Sequence, residues 1–204
     1  MRNSRADVVA AALRVLDEHG LENCSMRRVA SEIGVQVSAL YHHVPNKQSL
    51  LALMADEIVA GVLHSAAVRA AAGNDPLTMA RAICLALRDA LLAVRDGADV
   101  VATASAFHTG TIAIEQRLTE LVGPDGARTL LLFSFGHAQS TQTYLQAAEF
   151  GALIAGAGAG DGAAGPRDAD PAASDDGGSG RGSVAESFAR GIDIILTGIG
   201  AERP

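Results

Sequence analysis

The chain has 204 residues, of which 49% are apolar but only 3% aromatic, and it carries a formal net charge of −7. It is long enough to bury a proper core, as one large domain or two smaller ones. Plentiful Ala and Leu with few aromatics favour helix over sheet, and two distant cysteines, Cys24 and Cys84, exclude a disulfide framework and a thiolate metal site.

Free thiols of this kind suit a reducing cytosol. Arg2, Arg5 and Asp7 interrupt the N-terminus and no cleavage site follows, so no signal peptide is expected. No apolar run looks long enough to span a bilayer, and the expectation is a soluble cytoplasmic protein with no membrane partner. Charge is unevenly spread. Residues 1–50 hold six cations (Arg2, Arg5, Arg14, Arg27, Arg28, Lys47) against five carboxylates (Asp7, Asp17, Glu18, Glu22, Glu32), a net +1 that leaves −8 for the rest of the −7 total. A mildly basic head on an acidic body would meet a polyanion in one orientation only.

In chain order, the first helix is predicted over Ser4–His19, with a capping box of Ser4 and Asp7 and a buried stripe of Val8, Val9, Ala12, Leu13 and Leu16. Gly20 ends it. Ser25 caps a second helix whose Val29, Ala30 and Ile33 share one face, and Gly34 supplies the turn. Residues 38–43, Ser-Ala-Leu-Tyr-His-His, are too few for a helix stable by itself and need bracing by neighbours. Pro45 keeps Val44 out of the α region, and Asn46 caps the next helix. A small residue at Ala30, a glycine four positions later and Leu40 six after that are the requirements of a helix-turn-helix.

One long helix is then expected from Asn46 to about Ala72, shared by head and body. After the break at Gly73-Asn-Asp-Pro76 comes a helix over Leu77–Val94, a turn at Arg95-Asp-Gly-Ala98, and two helices near 99–107 and 109–122. Gly123-Pro-Asp-Gly126 should start another, running to about Ile154 with a mixed face of Leu130, Phe133, His137, Tyr144 and Phe150. Residues 155–183, rich in Gly, Ala and Asp, have almost nothing large to bury and should form a flexible loop. Gly156-x-Gly158-x-Gly160 suggests a phosphate cradle by eye, but no strand precedes it and no Lys follows at the needed offset. Ser183 to about Gly200 closes the chain as a helix with Val184, Phe188, Ile192, Ile195, Leu196 and Ile199 apolar, a face broad enough to want a partner.

The run Gly20-Leu-Glu, Ser25-Met-Arg-Arg-Val-Ala, Gly34-Val, Ser38-Ala-Leu-Tyr-His-His-Val, Asn46-Lys47 and Leu50-Leu51 resembles the tetracycline repressor (TetR) family of bacterial transcription regulators. Arg95-Asp-Gly-Ala98 is similar to the tetracycline-repressor branch within it. The resemblance implies an all-α homodimer, with a helix-turn-helix DNA-binding domain over 1–46 and a helical ligand-binding and dimerisation domain over 47–204. It further implies a repressor released from a palindromic double-stranded DNA operator by a small apolar or amphipathic effector.

By position, the DNA-contacting residues fall on Arg27, Gln36, Val37, Ser38, Ala39, Tyr41, His42, His43 and Lys47. Arg27 and Gln36 suit base edges, Val37, Ser38 and Ala39 suit small or apolar contacts, and Tyr41 and Lys47 suit phosphates. The tetracycline-binding branch has Gln-Pro-Thr at 37–39, so its operator does not transfer. Effector candidates in the body are His64, Phe107, His108, Phe133, His137, Gln139, Thr141, Gln142 and Tyr144, although a lone helical histidine serves packing as readily as a ligand. That branch also carries a His and a Thr after the Arg-Asp-Gly-Ala run, where this chain has Val101 and Ala104, and a carboxylate where it has Leu145. The expectation is therefore no metal, no tetracycline, no cofactor and no catalytic residue. An activator built from the same parts, an enzyme using the Gly-rich segment or the histidines, and a non-specific DNA-binding protein are the rival readings.

Overall fold

The computed structural model describes residues 4–107, 109, 111–158 and 179–201. Among these residues every regular element is a helix, as the composition implies. In order they are α1 (Arg5–Asn23), α2 (Met26–Glu32), α3 (Val37–Tyr41), α4 (Lys47–Val59), a 3-10 turn (Val62–His64), α5 (Ala66–Ala70), α6 (Pro76–Leu92), α7 (Gly97–Ala106), α8 (Ile112–Gly158) and α9 (Ser179–Ala201).

Local chemistry sets most of the boundaries. The Ser4–Asp7 capping box forms at the start of α1, and Gly20, at φ +73°, kinks its last turn. Ser25, Asn46, Ser65 and Asp75 each accept a backbone N–H at the start of a helix, and Pro76 follows Asp75 where its missing N–H costs nothing.

The core is centred on α6. Met79, Ala80, Ile83, Cys84, Leu87 and Leu91 are buried on it, and it packs against α4, α5, α7, α8 and α9. α4 packs on α1 with one part of its surface and on α6 and α7 with another, so it belongs to head and body at once.

Three expectations need correction. The helix predicted from Asn46 to Ala72 is broken at Ala60–Gly61, and the chain restarts at the Ser65 cap, because Val62, Val68 and Ala71 must all turn inward. The boundary expected at Gly123 is present, by contrast: its φ of +79° and ψ of 166° are not helical, and the two helices that meet at this kink are designated together as α8. The Gly-rich segment is shorter than expected. α8 reaches Gly158 and α9 begins at Ser179, so 155–158 and 179–183 are helical, and the remainder lies outside the described residues. Finally, Lys47–Ala70 is long and apolar enough, by composition, to cross a membrane; in the fold it is interrupted at Ala60 and Ser65 and turns Leu50, Leu51, Met54 and Ile58 into the core.

Both cysteines are buried, and burial pushes the Cys84 thiol up to about 12 and raises that of Cys24. Iodoacetamide at pH 8 should therefore label neither in the native protein and both after denaturation. Mass spectrometry reads the result; native labelling of Cys84 would mean that the core around α6 opens readily.

Candidate nucleic-acid interface and effector region

The turn between α2 and α3 is fully determined by its hydrogen bonds. Val35 N–H donates to Ala30 O at 3.0 Å and Gly34 N–H to Ser31 O at 3.1 Å, with Gly34 at φ +69°. This is the Schellman pairing, which needs a left-handed residue at Gly34 and satisfies two carbonyls that α2 would leave open. Ala30 and Val29 are buried beneath it.

α3 is five residues long and buries one of them, Leu40. Its end is closed by His43 and Val44, whose N–H groups donate to Leu40 O at 2.9 and 3.0 Å, and Val44 is itself buried ahead of Pro45. With Leu40 turned inward, Gln36, Ser38, Ala39, Tyr41 and His42 are exposed, together with Arg27 on α2 and Lys47 at the start of α4. Val37 and His43 are half-buried. His43 lines a cleft with Arg5, Pro45, Asn46 and Phe107, beside α1 and the end of α7. Lys47 lines another with Asn23 and Asp96. Arg14 of α1 pairs with Glu32 of α2 at 2.9 Å and holds those two helices in register. Arg2 lies outside the described residues.

Head and body are joined by the turn before α7. Arg95 Nη1 donates to the carbonyls of Asp17 (3.0 Å) and Glu18 (3.3 Å), which the kink at Gly20 leaves open. Asp96, itself left-handed at φ +53°, accepts from Leu21 N–H at 2.8 Å and from Gln146 Nε2 at 2.7 Å. Gln142 ties the same turn to α8, accepting from Ala98 N–H at 3.1 Å and donating to Val94 O at 2.7 Å and Leu91 O at 3.2 Å. A shift of α8 is therefore felt at the end of α1.

The effector candidates divide into groups. Phe133 and His137 stand together at the α6/α8/α9 junction with Phe188 and Arg88, and Thr141 Oγ1 lies 3.4 Å from His137 Nδ1. Burial, and secondarily the Arg88 charge, lowers the His137 pKa, so its imidazole is neutral near pH 7. Gln139 donates to Asp99 at 2.7 Å and lines a cleft of about 490 Å³ between α7 and α8 with Ala102, Arg128, Leu131 and Phe135. Gln142 spends its hydrogen bonds on the turn just described. Tyr144 and His64 are exposed, Phe107 faces the head, and His108 lies outside the described residues. The group that sequence reasoning passed over is Arg88. An arginine on an amphipathic helix looks solvent-facing until α9 is laid across it. Among the described residues no three of His, Cys, Asp and Glu gather in a metal-binding cluster.

Residues 8–54 match the family model described as bacterial regulatory proteins, tetR family. The class D tetracycline repressor protein of Escherichia coli is 37% identical over 110 residues, covering 54% of this chain and 46% of that protein. The chain thus spans about half the length of the curated relatives it matches first. Among solved structures, Mycobacterium smegmatis BioQ superposes with a TM-score of 0.78 at 28% identity, over 98% of this chain and 99% of that one. BioQ bound to its natural double-stranded DNA operator gives a TM-score of 0.65 at 32% identity, over 76% of this chain and 97% of that one.

Proposed function

The chain belongs to the tetR family of bacterial regulatory proteins, and from that premise we propose that it is a cytoplasmic transcriptional repressor. As a homodimer it holds a near-palindromic DNA operator, and it lets go when a small apolar or amphipathic effector enters the body. The observation that carries the reading is the outward face of α3. Leu40 is the one fully buried residue of that helix and half-buried Val37 packs beside it, so the exposed polar and small side chains are free for a major groove. Residues 1–46 form the reading head in this scheme and 47–204 the sensing and pairing body.

Release needs an effector that binds the DNA-incompatible arrangement better, and it shifts the equilibrium only by that difference in affinity. Two connections can carry the shift. One is α4, packed on both parts, and the other is the Arg95–Asp96 turn, bonded to α1 and α8 alike. An enzymatic reading lacks support: both thiols are buried, and Gly156 and Gly158 lie at the end of α8 rather than in a loop.

The test is selection of DNA fragments from a random pool by the purified protein, followed by variants on the selected site. Lys47→Ala should weaken all DNA by a similar factor and flatten the salt dependence by about one phosphate's worth. Arg27→Ala or Gln36→Ala should change the preferred sequence, at a cost of roughly 1–3 kcal/mol for a base that is read. Recovery of no common sequence would turn the reading towards a non-specific DNA-binding protein.

A further inference from the structure

Among the described residues, Arg88 Nε is the buried side-chain polar atom that has no hydrogen-bond partner. Its side chain, on α6, is only 11% exposed, and among the described residues its ion pair is a long one, from Nη1 to the carboxylate of the next residue, Asp89, at 3.5 Å, itself largely in water. The guanidinium carbon lies 5.5 Å from the centre of the buried Phe188 ring. Phe133 stacks on the same ring at 5.5 Å, and His137 meets it edge-on at 5.0 Å. The two carboxylates on the described part of α9 are engaged elsewhere, Asp193 with Arg81 at 2.6 Å and Glu186 with Arg190 at 3.6 Å. The neutral imidazole of His137 offers no counter-charge.

A guanidinium largely withdrawn from water, with one long ion pair through Nη1 and an unpaired Nε, is only partly compensated, and a contact with a ring face replaces only part of its hydration. Buried groups left in this state call for an explanation. The packing around Arg88 is tight rather than careless. A Cβ on Gly191 would overlap the Phe133 ring, so α9 is held against that ring by the absence of a side chain. A close-packed aromatic corner around a cation whose unpaired Nε is closed to water in this arrangement is suited to a ligand that brings its own negative charge as the corner parts.

We propose that Arg88 is the charge-pairing residue of the effector site and that the effector is an apolar, ring-bearing carboxylate. Its carboxylate lies on the Nε edge of Arg88, and its apolar body lies against Phe133 and the imidazole of His137, both of which are partly exposed. A monoanion is specified because one guanidinium among aromatic groups cannot replace the hydration of a second charge. The inference rests on the effector-released reading above, and it is tested without DNA so that the two fail separately.

The probes are 2-naphthoate and its uncharged counterpart 2-naphthamide, titrated into the whole protein by calorimetry, with thermal melting alongside. Naphthoate should bind and raise the melting temperature, and naphthamide should do neither. Arg88→Met should lose roughly 10- to 100-fold in naphthoate affinity, the range for a charged hydrogen bond. Without ligand, that variant should melt no lower than the wild type, because it removes a charge that is only partly compensated. Equal binding of the two probes, or no binding of naphthoate, overturns the assignment. So does an Arg88→Met protein that melts well below the wild type or fails to fold, since Arg88 would then be holding the helices together. Arg88→Lys, which keeps the charge but lacks the Nε edge, should bind naphthoate more weakly than the wild type; unchanged affinity would move the site elsewhere.

Discussion

Leu40→Ala should remove site-specific DNA binding and cost the head about 2–5 kcal/mol, while α6 to α9 stay folded. Five residues make little more than one helical turn, and a helix of that length has no stability of its own in water. α3 is kept in place by three things: the Schellman turn at Gly34, the closing bonds from His43 and Val44, and the burial of Leu40. The first two fix the ends, and the leucine, with half-buried Val37 beside it, fixes how far the helix stands from α1 and α2. An alanine there leaves a cavity or lets α3 settle inward, and either outcome moves Gln36, Ser38 and Tyr41 off the geometry a groove requires. Hydrogen exchange is the discriminating measurement. Protection should fall across 24–45 and persist in α6, and retardation of the selected DNA fragment should be lost. Unchanged DNA affinity in a protein whose head exchanges faster would show that α3 is not the reading element.

Much of the fold follows from short-range chemistry, and that part was legible in the sequence. Ser4, Ser25, Asn46, Gly34 and the proline after Asp75 announce boundaries that depend on one hydrogen bond or one dihedral angle each. Features decided by what packs across a helix were not legible. Ala60–Gly61 carries no stronger stop signal than many helix interiors. The break there exists because Val62 and Val68 are drawn towards the core.

The same limit applies to the candidate sites. Phe188, Ile192 and Leu196 form an apolar stripe whose chemistry is the same whether it meets its own chain or another, and here it meets α6 and α8. Gln142 is the kind of residue that orients ligands, yet its partners are the backbone atoms of a turn some fifty positions earlier. Arg88 presents the reverse case: its residue type suggests solvent, and its surroundings are aromatic.

That reassignment of the α9 stripe moves the surface through which two copies should pair. Burial of a charge at Ile192, a residue with no solvent access, would unfold the subunit and say nothing about a dimer. Ile194 lies about 200° further round α9, at 100° per residue, and is 73% exposed within the chain. Gly198 is exposed on the same side of α9. On α8, Gly136, Ser140 and Thr143 are exposed as well, beside Leu132 at 61%. Two small-faced helices flanked by large apolar residues can come close to their symmetry mates and form a four-helix bundle about a twofold axis. Ile194→Asp should therefore leave the melting of the isolated subunit nearly untouched, since the aspartate stays in water there. In a dimer it would bury two unpaired charges against one another. Sedimentation at micromolar concentration should give the mass of one chain. Affinity for the selected DNA should drop by roughly 10²–10⁴, the contribution that tethering of two reading heads makes through effective concentration. A variant that still sediments as a dimer and holds the DNA fragment at wild-type strength would place the pairing surface away from the exposed sides of α8 and α9.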